Sequence, residues 1–344
     1  MRSVLLSGVV FLFACSDDGG ATGTGGGASA STGAAVASST GADAQSSSAS
    51  GSTTTSSSTG QTSSSSGGGV TCQGKTGAAG DMDYTVDHDG DTRDFRVHAP
   101  PGYDGSVGMP VVLIFHGYTQ TNDQIENVTL MTPAADAAGY VVVYAQGVSN
   151  SWNAGSCCGS AATQGVDDVG FVGAMIDAVD AAYCIDPKRV YAAGFSNGGM
   201  LSNRLACELS DRIAAIGPVA GPLAFDPCTP SRPVPMIEFH GTSDFIVPYN
   251  GGGAGGAVSA PENASFWSDT NGCGDTPTVT FDMGDALCET YGGCQADASV
   301  TLCTLDGGGH QWPGGMSAGP LGTVNMDISA SAAMLEFFDA HPMP

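Results

Sequence analysis

One serine in this sequence is set for nucleophilic chemistry. In Gly194-Phe195-Ser196-Asn197-Gly198 it has glycine two residues to either side. That G-x-S-x-G spacing lets the backbone turn sharply and keeps neighbouring side chains off the hydroxyl. The chain has 52 glycines, so the pattern alone carries little weight. Its context carries more: Arg189-Val190-Tyr191-Ala192-Ala193 reads as a short strand before it, and Met200, Leu201 and Leu205 recur at helical spacing after it. Strand, sharp turn and helix put Ser196 at the tip of a nucleophile elbow.

A serine hydroxyl is a weak nucleophile until a base takes its proton, and a carboxylate must hold that base in the right tautomer. After an elbow of this kind the partners follow in the order acid, then histidine. Of six histidines, only His310 and His341 lie beyond a plausible acid, and His341 stands at the carboxyl-terminal tail. His310 sits in Gly307-Gly308-Gly309-His310-Gln311-Trp312-Pro313-Gly314-Gly315, directly after a strand-like run ending at Leu305. For the acid, Asp244 in His240-Gly241-Thr242-Ser243-Asp244 follows the apolar run 234–239, where catalytic groups gather outside strand ends. Glu262, Asp269 and Asp306 lack that anchoring. The plain alternatives are an Asx turn at Asp244 and a solvated loop histidine at 310. A tetrahedral intermediate needs two donors for its oxyanion. The backbone amides of Asn197 and of Tyr118, in the loop after the first buried strand, are the expected pair. His116 reads as a buried residue shaping that loop, and Trp152 and Trp312 either line the cleft or pack.

The elements that must position these groups follow from hydrophobic patterning. Residues 83–87 and 95–98 read as a hairpin around Asp89-Gly90. Residues 110–115 and 140–144 read as strands buried on both faces. Further strands are expected at 213–220, 234–239 and 298–305, and helices at 126–138, from 167 onward, after the elbow, and at 326–340. Alternating apolar strands and helices predict an α/β domain with a doubly wound, mainly parallel sheet. Asp167-Asp168 reads as a helix cap rather than an acid/base pair. Glu238, inside an otherwise apolar strand, has no explanation in the pattern beyond a rim position or a local hydrogen bond. Asp87, Asp89 and Asp91 lack the later acidic residue of a calcium loop, and Cys157-Cys158 has no companion ligand cluster, so no metal is expected.

Composition divides the chain of 344 residues unevenly. Residues 1–15 form an expected secretory signal, in which Val4 to Ala14 is a short run of apolar or small residues behind Arg2. The run ends Leu12-Phe13-Ala14-Cys15, similar to a bacterial lipobox apart from the bulk of Phe13, which makes Cys15 a candidate for lipidation and surface anchoring. Residues 16–69, almost wholly Ser, Gly, Thr and Ala, form an expected disordered tether, and 70–344 the folded domain. A formal net charge of −25 argues against nucleic acid and anionic lipid surfaces and favours a neutral substrate. Eleven cysteines in an exported chain point to disulfides, ten remaining if Cys15 carries lipid. The expected pairs are Cys207–Cys228, Cys273–Cys294 and Cys288–Cys303, with Cys72 and Cys184 sharing Cys157 and Cys158.

Several separated motifs together resemble one family. They are His116-Gly117-Tyr118-Thr119-Gln120-Thr121, Ser151-Trp152-Asn153-Ala154-Gly155 with Cys157-Cys158, Val166-Asp167-Asp168-Val169-Gly170-Phe171, the elbow, His240 to Asp244, and His310-Gln311-Trp312-Pro313-Gly314. The family is that of polyhydroxybutyrate depolymerase esterases, which overlaps feruloyl and acetyl xylan esterases. The resemblance runs from about residue 80 to 340 and is specific for family, not for substrate. It implies an α/β-hydrolase fold, a triad falling on Ser196, Asp244 and His310, and no metal or organic cofactor. The number of cysteines and the long leader depart from its commoner members. The expected function is an exported serine esterase acting on feruloyl or acetyl esters of plant polysaccharide, or on hydroxybutyrate polyester. With no polymer-binding domain expected beside the tether, the polysaccharide esters are favoured. A serine peptidase or a noncatalytic surface binding protein on the same fold is the rival.

Overall fold

The computed structural model describes residues 72–344; the expected signal, the tether and Cys15 lie outside the described residues. β1 (Gly80–His88) and β2 (Asp91–Ala99) form the expected hairpin. Its two turn residues, Asp89 and Gly90, take φ of 51° and 88°, the left-handed pair that a tight turn between twisted strands requires. β3 (Met109–Phe115), β4 (Val141–Ala145), β5 (Ile185–Phe195), β6 (Ile216–Val219) and β7 (Met236–Gly241) supply the apolar strands, followed by β8 (Thr278–Met283), β9 (Ala286–Tyr291) and β10 (Val300–Leu305). They make one ten-stranded sheet in the order β1-β2-β4-β3-β5-β6-β7-β10-β9-β8. From β4 to β10 the neighbours are parallel, and the outer strands at both ends are antiparallel.

Both faces are covered, which is why the central strands read as continuous apolar runs. Leu113, Val143 and Val190 point into a layer closed by α4 (Asp168–Ala182), α5 (Asn197–Glu208) and α6 (Ala260–Asn271). Val112, Ile114 and Tyr144 point into the opposite layer, closed by α1 (Asn122–Thr129), α2 (Met131–Ala138) and α7 (Ala330–Asp339). A short α3 (Gly159–Gln164) lies between β4 and α4.

Several boundaries differ from the sequence reading. The single helix expected over 126–138 is two, because Leu130 takes φ of 51° and ends α1. α7 starts four residues later than expected, where Ser329 accepts a hydrogen bond from the Ala332 amide. The strand expected over 213–220 is confined to β6. α3, α6, β8 and β9 went unread, although α6 carries a visible signal in its Ser259–Glu262 capping box.

All ten cysteines of the described residues are paired. Cys207–Cys228, Cys273–Cys294 and Cys288–Cys303 agree with expectation. The rest corrects it: Cys72 joins Cys184, and Cys157 joins Cys158. The amides of Thr76 and Gly77 bond the Ala182 carbonyl at 3.1 and 2.9 Å, which lays the entering chain beside Cys184. Cys157 and Cys158 belong to a loop folded on itself, with Ala154 N donating to the Cys157 carbonyl and Cys158 N to the Trp152 carbonyl.

At the end of β3, His116 is fully buried and held as a neutral ring. The Gly147 amide donates to Nε2 at 3.0 Å, so Nδ1 carries the proton and donates to the Gly117 carbonyl at 2.8 Å. Burial, opposed by the Gly117 bond and reinforced by the charge of Arg93, pushes the imidazole down to about 4.

Two outcomes follow from this packing. Thiol titration of the denatured, unreduced protein should find no free thiol between residues 72 and 344, and peptide mapping should recover a Cys72–Cys184 link; a link from either to 157 or 158 would contradict the pairing. Because the folded imidazole binds its proton less readily than the ordinary ring at about 6.5, stability is full above that pH. It is lost as pH falls toward 4, by up to about 3 kcal/mol. Denaturant unfolding of His116→Gln should lose that part of the slope between pH 6.5 and 4, and parallel slopes would contradict a buried neutral ring.

Candidate active site

The carboxyl edge of the parallel strands brings the chemistry-bearing residues together. β5 ends at Phe195 and α5 begins at Asn197, leaving Ser196 alone in the turn at φ 55°, ψ −119°. Its own amide donates to the Val219 carbonyl at 2.8 Å and its carbonyl accepts from Met200 at 2.9 Å. The flanking glycines are required by close approach: a Cβ on Gly198 would overlap the Phe115 carbonyl, and one on Gly194 would overlap Gly198. The small residues of the motif therefore let α5 seat directly against β3 and β5.

Asp244 follows β7 and His310 follows β10. The two meet: His310 Nδ1 lies 2.6 Å from Asp244 Oδ2, with both side chains buried. The other oxygen, Oδ1, accepts from the amides of Ile246 and Val247 at 2.8 and 2.9 Å. The Asx turn weighed as the plain alternative is therefore real, and it orients the carboxylate that receives His310. With Nδ1 donating to the carboxylate, a neutral His310 ring presents Nε2 as an acceptor. The ring packs on Phe195, centroids 4.8 Å apart, next to Ser196. The loop behind it is fixed by Gln311, which donates to the carbonyls of Gly319 and Gly322 and accepts from Ala318.

The other candidates lie elsewhere. Glu262 closes the α6 capping box and Asp306 accepts from Thr242. His341 is spent on Ser299 and the Phe337 carbonyl, His88 on Asp167, and His98 on Asp81 and Asp136. Asp167 caps α4 as expected, but Asp168 does not; it is fully buried, 2.7 Å from Arg93 and accepting from the Asn153 amide at 2.7 Å. That ion pair ties the loop carrying Trp152 to the sheet.

Around the expected oxyanion donors, neighbouring amides are engaged and these two are not. Gly117 N donates to Gln120 Oε1 and Thr119 N to the Asn150 carbonyl, while among the described residues the amides of Tyr118 and Asn197 have no acceptor. The Asn197 side chain clamps the Trp152 backbone in both directions, accepting from its amide at 2.8 Å and donating to its carbonyl at 3.0 Å. Trp152 and Trp312 are both fully buried, their indole N–H groups donating to the His116 carbonyl and to Ser331. They pack rather than line a cleft, which corrects the binding role considered for them. A cavity of about 780 Å³ lies between α6 and the loops after β4, β6 and β7, lined by Gly155, Leu223, Phe225, Val258 and Phe266; none of Ser196, Asp244 and His310 is among its lining residues. Sequence reading missed Asn197 as a clamp, the Arg93–Asp168 pair and this cavity, none of which has a local motif. Among the described residues no group of three or more His, Cys, Asp or Glu side chains is arranged to hold a metal.

Comparison with known proteins fits this arrangement. Residues 94–227 match the model of the esterase PHB depolymerase family. The chain is 36% identical over 230 residues to feruloyl esterase B of Piromyces equi, covering 62% of this chain and 42% of that protein. It is 35% identical over 159 residues to the bifunctional acetylxylan esterase/xylanase XynS20E of Neocallimastix patriciarum, covering 46% of this chain and 22% of that protein. The chain thus spans less than half the length of either relative. Among solved structures, acetyl xylan esterase from Aspergillus awamori superposes with a TM-score of 0.54 at 16% identity, over 75% of this chain and 99% of that one. The fold is therefore that of an α/β-hydrolase, and residues 94–227 within it are similar to the esterase PHB depolymerase family.

Proposed function

We propose that this protein is a serine esterase that cleaves carboxylic esters through an acyl-enzyme. The observation that carries the reading is the Asp244–His310 hydrogen bond, with the His310 ring packed on Phe195, the residue before the elbow serine. In this mechanism Ser196 Oγ attacks the ester carbonyl carbon while His310 Nε2 takes its proton, and Asp244 stabilises the imidazolium that forms. The carbonyl oxygen becomes an oxyanion facing the amides of Tyr118 and Asn197. Collapse of the intermediate breaks the bond to the alcohol, which leaves with the proton from His310. Water, deprotonated by the same nitrogen, then attacks the acyl carbon and releases the acid and Ser196.

For substrate, we favour feruloyl or acetyl esters of plant polysaccharide. The relatives named feruloyl esterase and acetylxylan esterase support that choice. Hydroxybutyrate polyester is the second reading, supported by the family's name. The domain assigned to catalysis is 70–344, and five disulfides support an exported protein. Lipid attachment at Cys15 through the tether remains part of the proposal.

Ser196→Ala should abolish hydrolysis of methyl ferulate and of soluble hydroxybutyrate oligomers while leaving thermal unfolding within a few degrees of wild type. Residual wild-type turnover in that variant would refute the nucleophile. Faster wild-type turnover of the oligomers than of the ferulate would move the substrate reading to polyester.

A further inference from the structure

A second buried histidine approaches the carboxylate of Asp244. Along β7 the side chains alternate: Ile237 and Phe239 enter one core layer, whereas Glu238 and His240 face the other, under α6. Glu238 is fully buried, yet both its oxygens have partners. Oε2 accepts from Asn263 Nδ2 of α6 at 2.8 Å, and Oε1 lies 3.2 Å from His240 Nδ1. His240 is also fully buried, and its Nε2 lies 2.8 Å from the Val247 carbonyl. A carbonyl only accepts, so Nε2 carries a proton. The same nitrogen stands 3.6 Å from Asp244 Oδ2, the oxygen that receives His310.

The proton between His240 Nδ1 and Glu238 Oε1 has two resting places. On the carboxyl it leaves a neutral imidazole; on Nδ1 it makes an imidazolium flanked by two carboxylates. The surroundings favour the second. Burial works against the charged ring, but the hydrogen bond and charge of Glu238, the Val247 carbonyl and the charge of Asp244 outweigh it and raise its pKa. Of the other titratable groups, Tyr249 meets the ring edge-on at 5.8 Å with its hydroxyl bound to Thr304, and Glu289 acts on Tyr249 from β9. Asn263, the α6 residue against this pair, is neutral.

We propose that Glu238 and His240 are positioning residues for Asp244 and His310: Glu238 keeps His240 as a buried imidazolium, and that cation attracts the Asp244 carboxylate and keeps it aimed at His310. The inference rests on the triad reading given above. Val247 ties the parts mechanically, its amide donating to Asp244 Oδ1 and its carbonyl accepting from His240. The cation also contributes positive potential at His310. Glu238→Gln preserves the shape and can keep both hydrogen bonds, but it removes the charge that retains the proton on His240. Both members of the pair then lose charge. Since the imidazolium is the nearer to His310, the net change is a loss of positive potential there, and His310 should bind its proton more tightly by about half to one pH unit at an effective dielectric of about 20.

The test is nitrogen NMR of the full chain with labelled histidine, assigned by difference against His240→Gln and His310→Gln. The expected wild-type result is a His240 ring protonated on both nitrogens at pH 7. In Glu238→Gln that ring should be neutral, with the His310 titration midpoint, and the acid limb of kcat/KM, raised together. A neutral His240 in wild type, or an unmoved His310 midpoint in folded Glu238→Gln, would overturn the inference. Should that variant not fold, the wild-type spectrum decides alone. The spectra need no substrate, so absent ester hydrolysis would count against the enzyme reading and not against the charge state.

Discussion

The structure depends on a turn that ordinary residues avoid. Ser196 holds φ 55° and ψ −119°, and such a backbone costs of the order of 1–3 kcal/mol unless its surroundings fix it. Here they do so on every side. β6 accepts the Ser196 amide, α5 begins on its carbonyl, and the missing side chain of Gly198 lets the helix reach the end of β3. The same contact that strains the serine brings the amide of Asn197 to the sheet edge, beside the loop of Tyr118. Position and strain are one feature, and the neighbouring strands β7 and β10 need only end at the same edge to deliver Asp244 and His310.

That dependence explains what was legible in the sequence. Ser196 announces itself because a strained turn demands glycines at fixed offsets, and the central strands because burial on both faces demands unbroken apolar runs. Asp244 and His310 were readable from order and loop position, since each follows a recognisable strand. Other features depend on contacts between distant segments and leave no local pattern. Glu238 looks anomalous in β7 until Asn263 of α6 and His240 appear beside it. The two tryptophans read as either lining or packing groups because an indole suits both; only the acceptors found by their N–H groups decide it. Cysteine pairing failed where spacing was ambiguous, at Cys72, Cys157, Cys158 and Cys184, and succeeded where partners lie 15 or 21 residues apart. β8 alternates Val279, Phe281 and Met283 with polar residues, a period-2 signal that was there to read although the strand is mostly exposed.

Charge distribution supports a neutral ligand by a route that composition only suggested. The few cations are largely consumed within the protein. Arg93 is buried against Asp168, Arg96 binds Asp83, Asp123 and Glu126, and Arg189, Arg204 and Arg212 each hold an acidic partner. Arg232 donates to the backbone carbonyls of Ser210, Ile213, Ala214 and Pro233. The exposed pairs among these add little stability individually, but they leave the excess carboxylates to set the surface potential. An anionic polymer would be repelled before reaching the site. A neutral ester meets no such barrier.

The central claim is that Ser196 becomes covalently acylated, and trapping the adduct tests it most directly. The full chain treated with a fluorophosphonate, digested and mapped by mass spectrometry should carry one modification, on the peptide containing Ser196, and protein denatured beforehand should carry none. Modification of a different residue, or full ester hydrolysis with Ser196 unmodified, would contradict the nucleophile and the mechanism built on it.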